Sequence, residues 1–281
     1  MSTLREVTRE AGAPRPRPLL RIVPPGLYAG RARMLLVRSA LASRSIWLAV
    51  ISGFCEPLFY LAAMGQGLGS LVGTVVGPAG QQLSYAAFIA PGLLAASAMN
   101  EAVYNATFSF FAKLKYAKLY DAMLATPLGP VDVALGEIGW ALIRGGMYSA
   151  GFLVVMLAVG LISSPWALLA LPAALLVAFA FASVGIAATS FMRSWLDFDL
   201  VHLAVLPMFL FSATFFPLSV YPLALQWLVR AFPLYHAVVL MRGLTTGVVG
   251  WSMLGHGVYF VVMAAAGIVV ASRRLRTLLL H

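Results

Sequence analysis

Six long apolar stretches dominate the sequence, and they most restrict what it can fold into. A helix needs roughly 20 such residues to cross the hydrocarbon core of a bilayer. The stretches comprise residues 45–64, 86–111, 135–162, 166–192, 200–216 and 251–271. Because 62% of the residues are hydrophobic and only 10% are charged, a water-soluble fold could not bury this much apolar surface. We therefore predict an all-α membrane protein with six transmembrane helices.

The region between the fifth and sixth stretches, residues 217–250, is apolar but interrupted by Pro217, Pro222 and Pro233. Proline removes a backbone donor and breaks a helix. Broken backbone at membrane depth must be surrounded by protein or water. We predict an external, re-entrant helical hairpin here rather than a straight span. The fifth stretch is itself short and contains Pro207.

The positive charges predict the orientation, because cytoplasmic segments of membrane proteins are enriched in Lys and Arg. With both termini inside, the inner segments hold 16 of the 19 Lys and Arg residues, including nine arginines in the first 44 residues. The outer segments hold Arg230 and Arg242, and Arg144 lies within a span. The basic residues flank apolar runs instead of clustering on a polar face, which indicates contact with lipid and not with nucleic acid.

This pattern divides the chain into three parts. Residues 1–44 form a cytoplasmic tail, rich in Arg and Pro, with a short helix connecting it to the membrane. Residues 45–272 form the transmembrane domain, and residues 273–281 form a basic cytoplasmic tail. The first part lacks the apolar core of a cleavable signal peptide.

The connection between the second and third spans predicts an amphipathic helix over residues 114–124. Its apolar residues recur at helical spacing, while Lys115, Lys118 and Asp121 occupy the other side. The apolar residues are Tyr116, Leu119, Tyr120, Met123 and Leu124. Such a helix either lies on the inner leaflet or docks on a soluble cytoplasmic partner, and both roles are compatible.

Several kinds of chemistry are missing from the sequence. A P-loop needs a Gly-Lys pair to cradle phosphates, but the three lysines each follow Ala or Leu. The signatures Gly-x-Ser-x-Gly and His-Glu-x-x-His do not occur either. Cys55 is the single cysteine, and the four histidines are far apart in the sequence without metal-ligand spacing. We predict no catalytic residues, no metal site and no cofactor bound by this chain.

Four ionisable residues fall inside the apolar stretches: Glu56, Glu101, Glu137 and Arg144. Such groups are costly in a bilayer, so they face protein or water and are candidates for the transport path or for pairing between helices. Glu137 and Arg144 lie about 10 Å apart along one helix, so each needs a partner elsewhere. Tyr104, Phe108 and Phe111 form an aromatic stripe that serves either helix packing or substrate movement.

Four ordered motifs resemble the NodJ-like permeases of the ABC-2 family, which export nodulation-type lipooligosaccharides. They are residues 56–69 (EPLFYLAAMGQGLG), residues 90–99 (APGLLAASAM), residues 121–124 (DAML) with 135–140 (LGEIGW), and residues 209–217 (FLFSATFFP) with 232–236 (FPLYH) and 241–243 (MRG). The resemblance covers roughly residues 45–247 and is specific to the family, not to a substrate.

The resemblance implies a permease of the bacterial cytoplasmic membrane that exports an amphiphilic lipid or a lipid-linked saccharide. It also implies a separate ATPase subunit that binds ATP and Mg²⁺, and a second permease copy, identical or related. The amphipathic helix would then be the coupling helix to the ATPase, and residues 217–242 the external hairpin. Alternatives are a hydrophobic-drug exporter of the same family and, in other classes, an ion-coupled secondary transporter using Glu56, Glu101 and Glu137, or an intramembrane enzyme.

Overall fold

The computed structural model describes residues 32–43, 47–113 and 130–279, and this part of the chain is mostly helical. Its α-helices are α1 (Ala32–Ser43), α2 (Trp47–Ala62), α3 (Gly69–Val72), α4 (Tyr85–Tyr104), α5 (Pro130–Ala158), α6 (Ala170–Thr189), α7 (Phe198–Phe211), α8 (Leu223–Ala231), α9 (Pro233–Thr246) and α10 (Trp251–Leu279). Two π-helices (Ala63–Leu68, Asn105–Ser109), three 3₁₀ turns (Pro165–Leu169, Trp195–Asp197, Leu218–Val220) and an antiparallel hairpin of β1 (Thr74–Val76) and β2 (Gln82–Ser84) complete the described elements.

Four helical segments among the described residues are long and apolar enough to cross a membrane. They are Tyr85–Ser109, Leu135–Ala158, Pro165–Thr189 and Trp251–Arg274. Helices α8 and α9 pass the same test together but are bent by 87°, as in a broken span or a re-entrant loop, so the count is four or five. The prediction of an all-α membrane protein is confirmed. The count of six spans is not confirmed by helix length.

Several predicted spans differ in extent from the helices that form, and the differences in the first and fifth spans bear on the span count. The first was predicted to end at residue 64, but α2 continues through the π-helix Ala63–Leu68 into α3. The fifth was predicted over residues 200–216, but α7 has only 14 residues and ends at Phe211. After it the chain turns sharply, and Ala213 takes a positive φ of 57°. Helix α7 continues for four residues past Pro207, so this proline is not what ends the helix.

Helix α4 lies at the centre of the molecule and packs against α5, α6 and α9. Ile89, Leu94 and Met99 on this helix are completely buried in the apolar core. Helix α6 packs most extensively on α10, where Gly267 brings the two backbones together. A Cβ atom at Gly267 would lie 2.7 Å from the carbonyl carbon of Ser183, so only glycine allows this approach.

Helix α1 packs along α5, which defines the position of the segment that connects the N-terminal tail to the membrane domain. Leu35 is only 4% exposed and lies against Gly136, where an added Cβ would come within 2.7 Å of the Leu35 side chain. The connecting helix is therefore part of the packed domain and not an independent tail element.

The turn between α6 and α7 is held by Asp197. Its carboxylate accepts hydrogen bonds from the backbone N–H groups of Arg193 (2.6 Å) and Ser194 (3.1 Å). These two donors favour the ionised form and lower the pKa of Asp197 below its ordinary value. The turn leads into α7, and the candidate site lies among α2, α4, α5 and α7.

Candidate transport cavity

A cavity of about 1000 Å³ lies among α2, α4, α5 and α7. On the side of α4 and its continuation, the cavity is lined by Leu93 and Ala96 and then, from Ser97 to Lys113, by polar and charged residues interspersed with apolar ones; α7 contributes mainly apolar residues. Most of the polar side chains therefore lie towards one end of the cavity, which suits a molecule with both apolar and polar parts. Four of the predicted transport-path residues line it: Glu56, Glu101, Tyr104 and Arg144.

Glu101 and Arg144 form an ion pair across the polar end, with 2.9 Å between Oε1 of Glu101 and Nε of Arg144. The two side chains are only 11% and 15% exposed. Arg144 also donates from Nη2 to the hydroxyl of Tyr148 at 3.1 Å, and Asn105 donates to Oε1 of Glu101 at 2.5 Å. The pair links α4 to α5 and leaves the two charges compensated within an apolar bundle.

Glu137 pairs with Lys113, with 2.6 Å between Oε2 and Nζ. Glu137 itself does not line the cavity, although Lys113 does. Glu137 and Arg144 do not pair with each other, as their predicted separation along the helix requires. Arg144 pairs with Glu101 near the C-terminal end of α4, and Glu137 pairs with Lys113 in the segment that follows α4. Two ion pairs, Glu101–Arg144 and Lys113–Glu137, join the same two helical segments.

The π-helix Asn105–Ser109 widens the helix beside the cavity. Such turns disturb the regular ladder of backbone hydrogen bonds and are frequent at functional sites. Side chains supply further donors here: Asn105 Nδ2 to the Glu101 carbonyl (2.9 Å), Thr107 Oγ1 to Val103 (2.7 Å) and Thr189 Oγ1 of α6 to Ala106 (3.0 Å). Polar residues that look misplaced in an apolar stretch thus stabilise an irregular backbone.

The three rings of the aromatic stripe lie in two different surroundings. Tyr104 and Phe108 stack with 5.3 Å between ring centroids and line the cavity, and they are 52% and 42% exposed. Phe111 is buried, and its ring meets Trp195 and Phe198 edge to face. The first two rings therefore form a wall of the cavity, whereas Phe111 packs between helices.

Glu56 lies on α2 next to Pro57, and both residues line the cavity. Its carboxylate makes no ion pair or hydrogen bond within the part of the chain that the structure describes. The interpretation of Glu56 as a structural pairing residue therefore receives no support there. The predicted coupling-helix residues Tyr116, Leu119, Tyr120, Met123 and Leu124 lie outside the described residues.

Arg242, which the charge count assigns to an outer segment, is buried within the protein. The residue is 6% exposed and donates to the backbone carbonyls of Phe88 (3.2 Å), Ala213 (2.9 Å) and Thr214 (3.4 Å). Its guanidinium also lies 3.8 Å from the centre of the Phe88 ring. It therefore fastens α9 to α4 and to the irregular segment after α7. The sequence did contain one indication of this role: Arg242 lies in an apolar segment that several prolines interrupt.

The histidines are not all separate in space. His236 on α9 and His256 on α10 come together, with 2.8 Å between their Nδ1 atoms, and the Tyr259 ring lies tilted against His236 with 4.3 Å between ring centroids. Among the described residues, no group of three or more His, Cys, Asp or Glu side chains could hold a metal ion.

Comparison with known proteins identifies the family of this chain. The model of the ABC-2 type transporter family matches residues 31–246, which is more than half of the chain. The chain belongs to the ABC-2 type transporter family.

Its relatives in this family include several nodulation proteins. The chain is 35% identical to Nodulation protein J of Rhizobium leguminosarum bv. trifolii over 224 residues, covering 79% of this chain and 80% of the relative. It is 34% identical to Nodulation protein J of Rhizobium leguminosarum bv. viciae over 221 residues (77% and 83%), and 33% identical to that of Rhizobium meliloti (strain 1021) over 212 residues (75% and 79%). The resemblance inferred from four short motifs is confirmed.

Membership in the ABC-2 family has direct consequences for this chain. It is the membrane subunit of an ATP-binding-cassette transporter, a multi-pass protein that is not itself catalytic. The family implies an ATPase partner. The cavity, with its compensated charges and stacked rings, is the candidate path within the transport subunit.

Proposed function

We propose that this chain is the permease of an exporter that moves an amphiphilic lipid or a lipid-linked saccharide across the bacterial cytoplasmic membrane. A separate subunit hydrolyses ATP, and a second permease copy, identical in the simplest case, completes the complex. The observation that carries the proposal is the cavity, since an apolar bundle has no need of a space of about 1000 Å³ with a polar end. Ligand sites generally combine an apolar lining with a few placed polar groups.

The ion pairs favour an exporter over an ion-coupled carrier. A carrier that used Glu56, Glu101 and Glu137 as proton or sodium sites would need carboxylates that are free to bind the ion. Glu101 and Glu137 are instead neutralised by basic residues, at 2.9 Å and 2.6 Å, which leaves Glu56 as the available carboxylate of the three within the described residues. The pairs supply hydrogen-bonding polarity to the cavity wall without a large net charge, which suits a hydroxyl-rich head group.

The proposal includes six spans with both termini in the cytoplasm and a re-entrant hairpin made by α8 and α9. The α2 helix and its π-helical continuation contribute 16 and 6 residues, which together reach the length of a span. Helix α7 is shorter, and the irregular segment 212–216 would continue it towards the outer side. Arg242 supports this assignment, because its donors satisfy backbone carbonyls that would otherwise be costly at membrane depth.

The experiment is reconstitution of the chain in proteoliposomes with its ATPase partner. We expect ATP-dependent movement of a fluorescent lipid-linked saccharide, and none when the P-loop lysine of the ATPase is replaced. Tyr104→Ala should slow movement by removing part of the cavity wall, whereas Phe216→Ala, at an exposed ring outside the cavity, should not. Robust ATP hydrolysis by the purified chain alone would contradict the proposal. Movement of hydrophobic drugs but not of saccharide lipids would assign the drug-exporter alternative.

A further inference from the structure

Glu56 lies between two depressions of different character. One is the large cavity, and the other is a pocket of about 450 Å³ along α2. Apart from Glu56 and Tyr60, which line both, the smaller pocket is formed by Cys55, Phe59, Ala63 and Met64. The Glu56 carboxylate therefore lies where the large cavity adjoins a smaller, largely apolar pocket.

Among the described residues that line the cavity, Glu56 is the charged side chain without an ion-pair partner. Glu101 is paired with Arg144, and Lys113 is paired with Glu137. Within the described residues Glu56 forms no ion pair or hydrogen bond, and it is exposed to the cavity. Of the other titratable side chains on the wall, His202 has its Nδ1 at 3.1 Å from the Phe198 carbonyl of its own helix, and Tyr60, Tyr104 and Tyr148 carry no positive charge.

An uncompensated carboxylate in an apolar helix favours one kind of ligand. Ionised carboxylates accept hydrogen bonds and have none to donate, so they bind N–H groups and cations and repel phosphate. Charged residues in spanning helices face protein or water and mark substrate pathways. A molecule with its chain in the apolar pocket and its head in the cavity would present its head–chain junction to Glu56.

We propose that Glu56 recognises the junction between the polar head and the apolar chain of the transported amphiphile. It selects molecules that carry an N–H donor without negative charge at this point, an amide or an ammonium, and it disfavours those with a phosphate there. The inference rests on the proposed export function and deepens it, because it names the chemistry at one position of the substrate.

The test uses the full chain in nanodiscs of neutral phosphatidylcholine and three probes with the same dodecyl chain: dodecylammonium, N-dodecylacetamide and dodecyl phosphate. Ligand-induced shifts in Tm give the apparent affinity of each probe. The wild type should bind the ammonium or the amide probe at least roughly tenfold more tightly than the phosphate, as expected for a hydrogen bond to a charged group. Glu56→Gln should reduce that ratio by about tenfold.

The control is Asp199→Asn, which removes an exposed carboxylate that does not line the cavity and should leave the ratio unchanged. A preference for both N-bearing probes identifies a hydrogen-bond donor as sufficient, and a preference for dodecylammonium alone identifies the positive charge as the feature selected. An equal or greater affinity of the wild type for the phosphate overturns the inference, even if the variant does not fold.

Two further measurements separate this inference from the proposed function. If Glu56→Gln changes the oligomeric state in light scattering but leaves the probe ratio unaltered, Glu56 pairs with a second copy and the inference is wrong. If reconstituted transport proceeds but the ratio does not depend on Glu56, the inference alone fails. If the ratio depends on Glu56 but no ATPase drives transport, the proposed function fails and the probe selectivity stands.

Discussion

Arg144 and Arg242 both lie in apolar surroundings, but their charges are stabilised in different ways. Arg144 is neutralised by the carboxylate of Glu101. Arg242 is satisfied by three backbone carbonyls and the face of the Phe88 ring. A guanidinium can do either, because it offers five N–H donors in a planar fork and stacks on aromatic rings.

The first prediction concerns the Glu101–Arg144 pair. Arg144→Met should destabilise the protein by about 3–5 kcal/mol, because it leaves a largely buried carboxylate without its cation. The double variant Arg144→Met/Glu101→Gln should recover most of this loss, since an apolar and a neutral side chain replace the two charges. Unfolding in detergent, followed by circular dichroism, measures both. A double variant no more stable than the single one would show that the ion pair is not the source of the effect.

The second prediction concerns Arg242. Arg242→Lys keeps the charge but loses the fork that reaches three carbonyls, so we expect a loss of about 2 kcal/mol or more. Arg230→Lys is the matched control, because Arg230 is exposed and its guanidinium lies 5.3 Å from the centre of the Trp227 ring. It should change stability by no more than about 0.5 kcal/mol. Equal effects of the two substitutions in a thermal unfolding assay would argue against the fastening role of Arg242.

At the scale of elements, irregular backbone segments lie in or next to helices that line the candidate site. The π-helix Asn105–Ser109 lies on the cavity wall, and the break after α7 lies against α4, where Thr214 approaches Gly92. A Cβ at Gly92 would come 3.2 Å from the Thr214 Cα, so glycine permits the close approach. Each irregular segment is held by side-chain donors from neighbouring elements.

The third prediction concerns the amphipathic helix at residues 114–124, which we expect to couple the permease to the ATPase. Its apolar face would occupy a groove of the partner, and truncating such an anchor can cost about 2 kcal/mol or more of binding energy. Leu119→Ala/Met123→Ala should therefore release the ATPase or uncouple its ATP hydrolysis from transport. Lys115→Ala, at the polar side, should do much less. Co-purification and coupled transport measure the two effects.

A different outcome would assign the helix to the inner leaflet. In that case the double variant would retain wild-type assembly and transport, and a lipid-partitioning assay would show only reduced membrane affinity. Insertion of the membrane helices should be normal in either case, because neither substitution lies in a predicted span.

At the scale of the whole molecule, the fourth prediction concerns orientation. In a Cys55→Ser background, a reagent that cannot cross the membrane should label Ser70→Cys from outside but not Ser194→Cys. Ser70 follows α2 at the beginning of α3, and Ser194 lies in the turn between α6 and α7. The 16-to-2 distribution of Lys and Arg places the first outside and the second inside. The reverse labelling pattern would overturn the orientation.

The sequence by itself determined the class of the protein, the approximate positions of its helices and its family. The class, the helix positions and the family follow from local properties, because apolar stretches of bilayer length and short ordered motifs are contiguous in the sequence. It also determined that Glu137 and Arg144 could not pair with each other, since the rise of a helix separates them.

Only the tertiary structure decided which partners the charges found, because Glu101 meets Arg144 and Lys113 meets Glu137 when α4 and its continuation pack against α5. The same holds for the partners of Arg242, which the charge pattern assigns to an outer segment. Its partners are the backbone carbonyls of Phe88, Ala213 and Thr214. Every residue has a backbone carbonyl, so the sequence does not show which ones need a donor. The break after Phe211 and the π-helix at Asn105 were equally hidden. Their hydrogen bonds depend on donors from packed neighbours, and packing is a property of the folded chain.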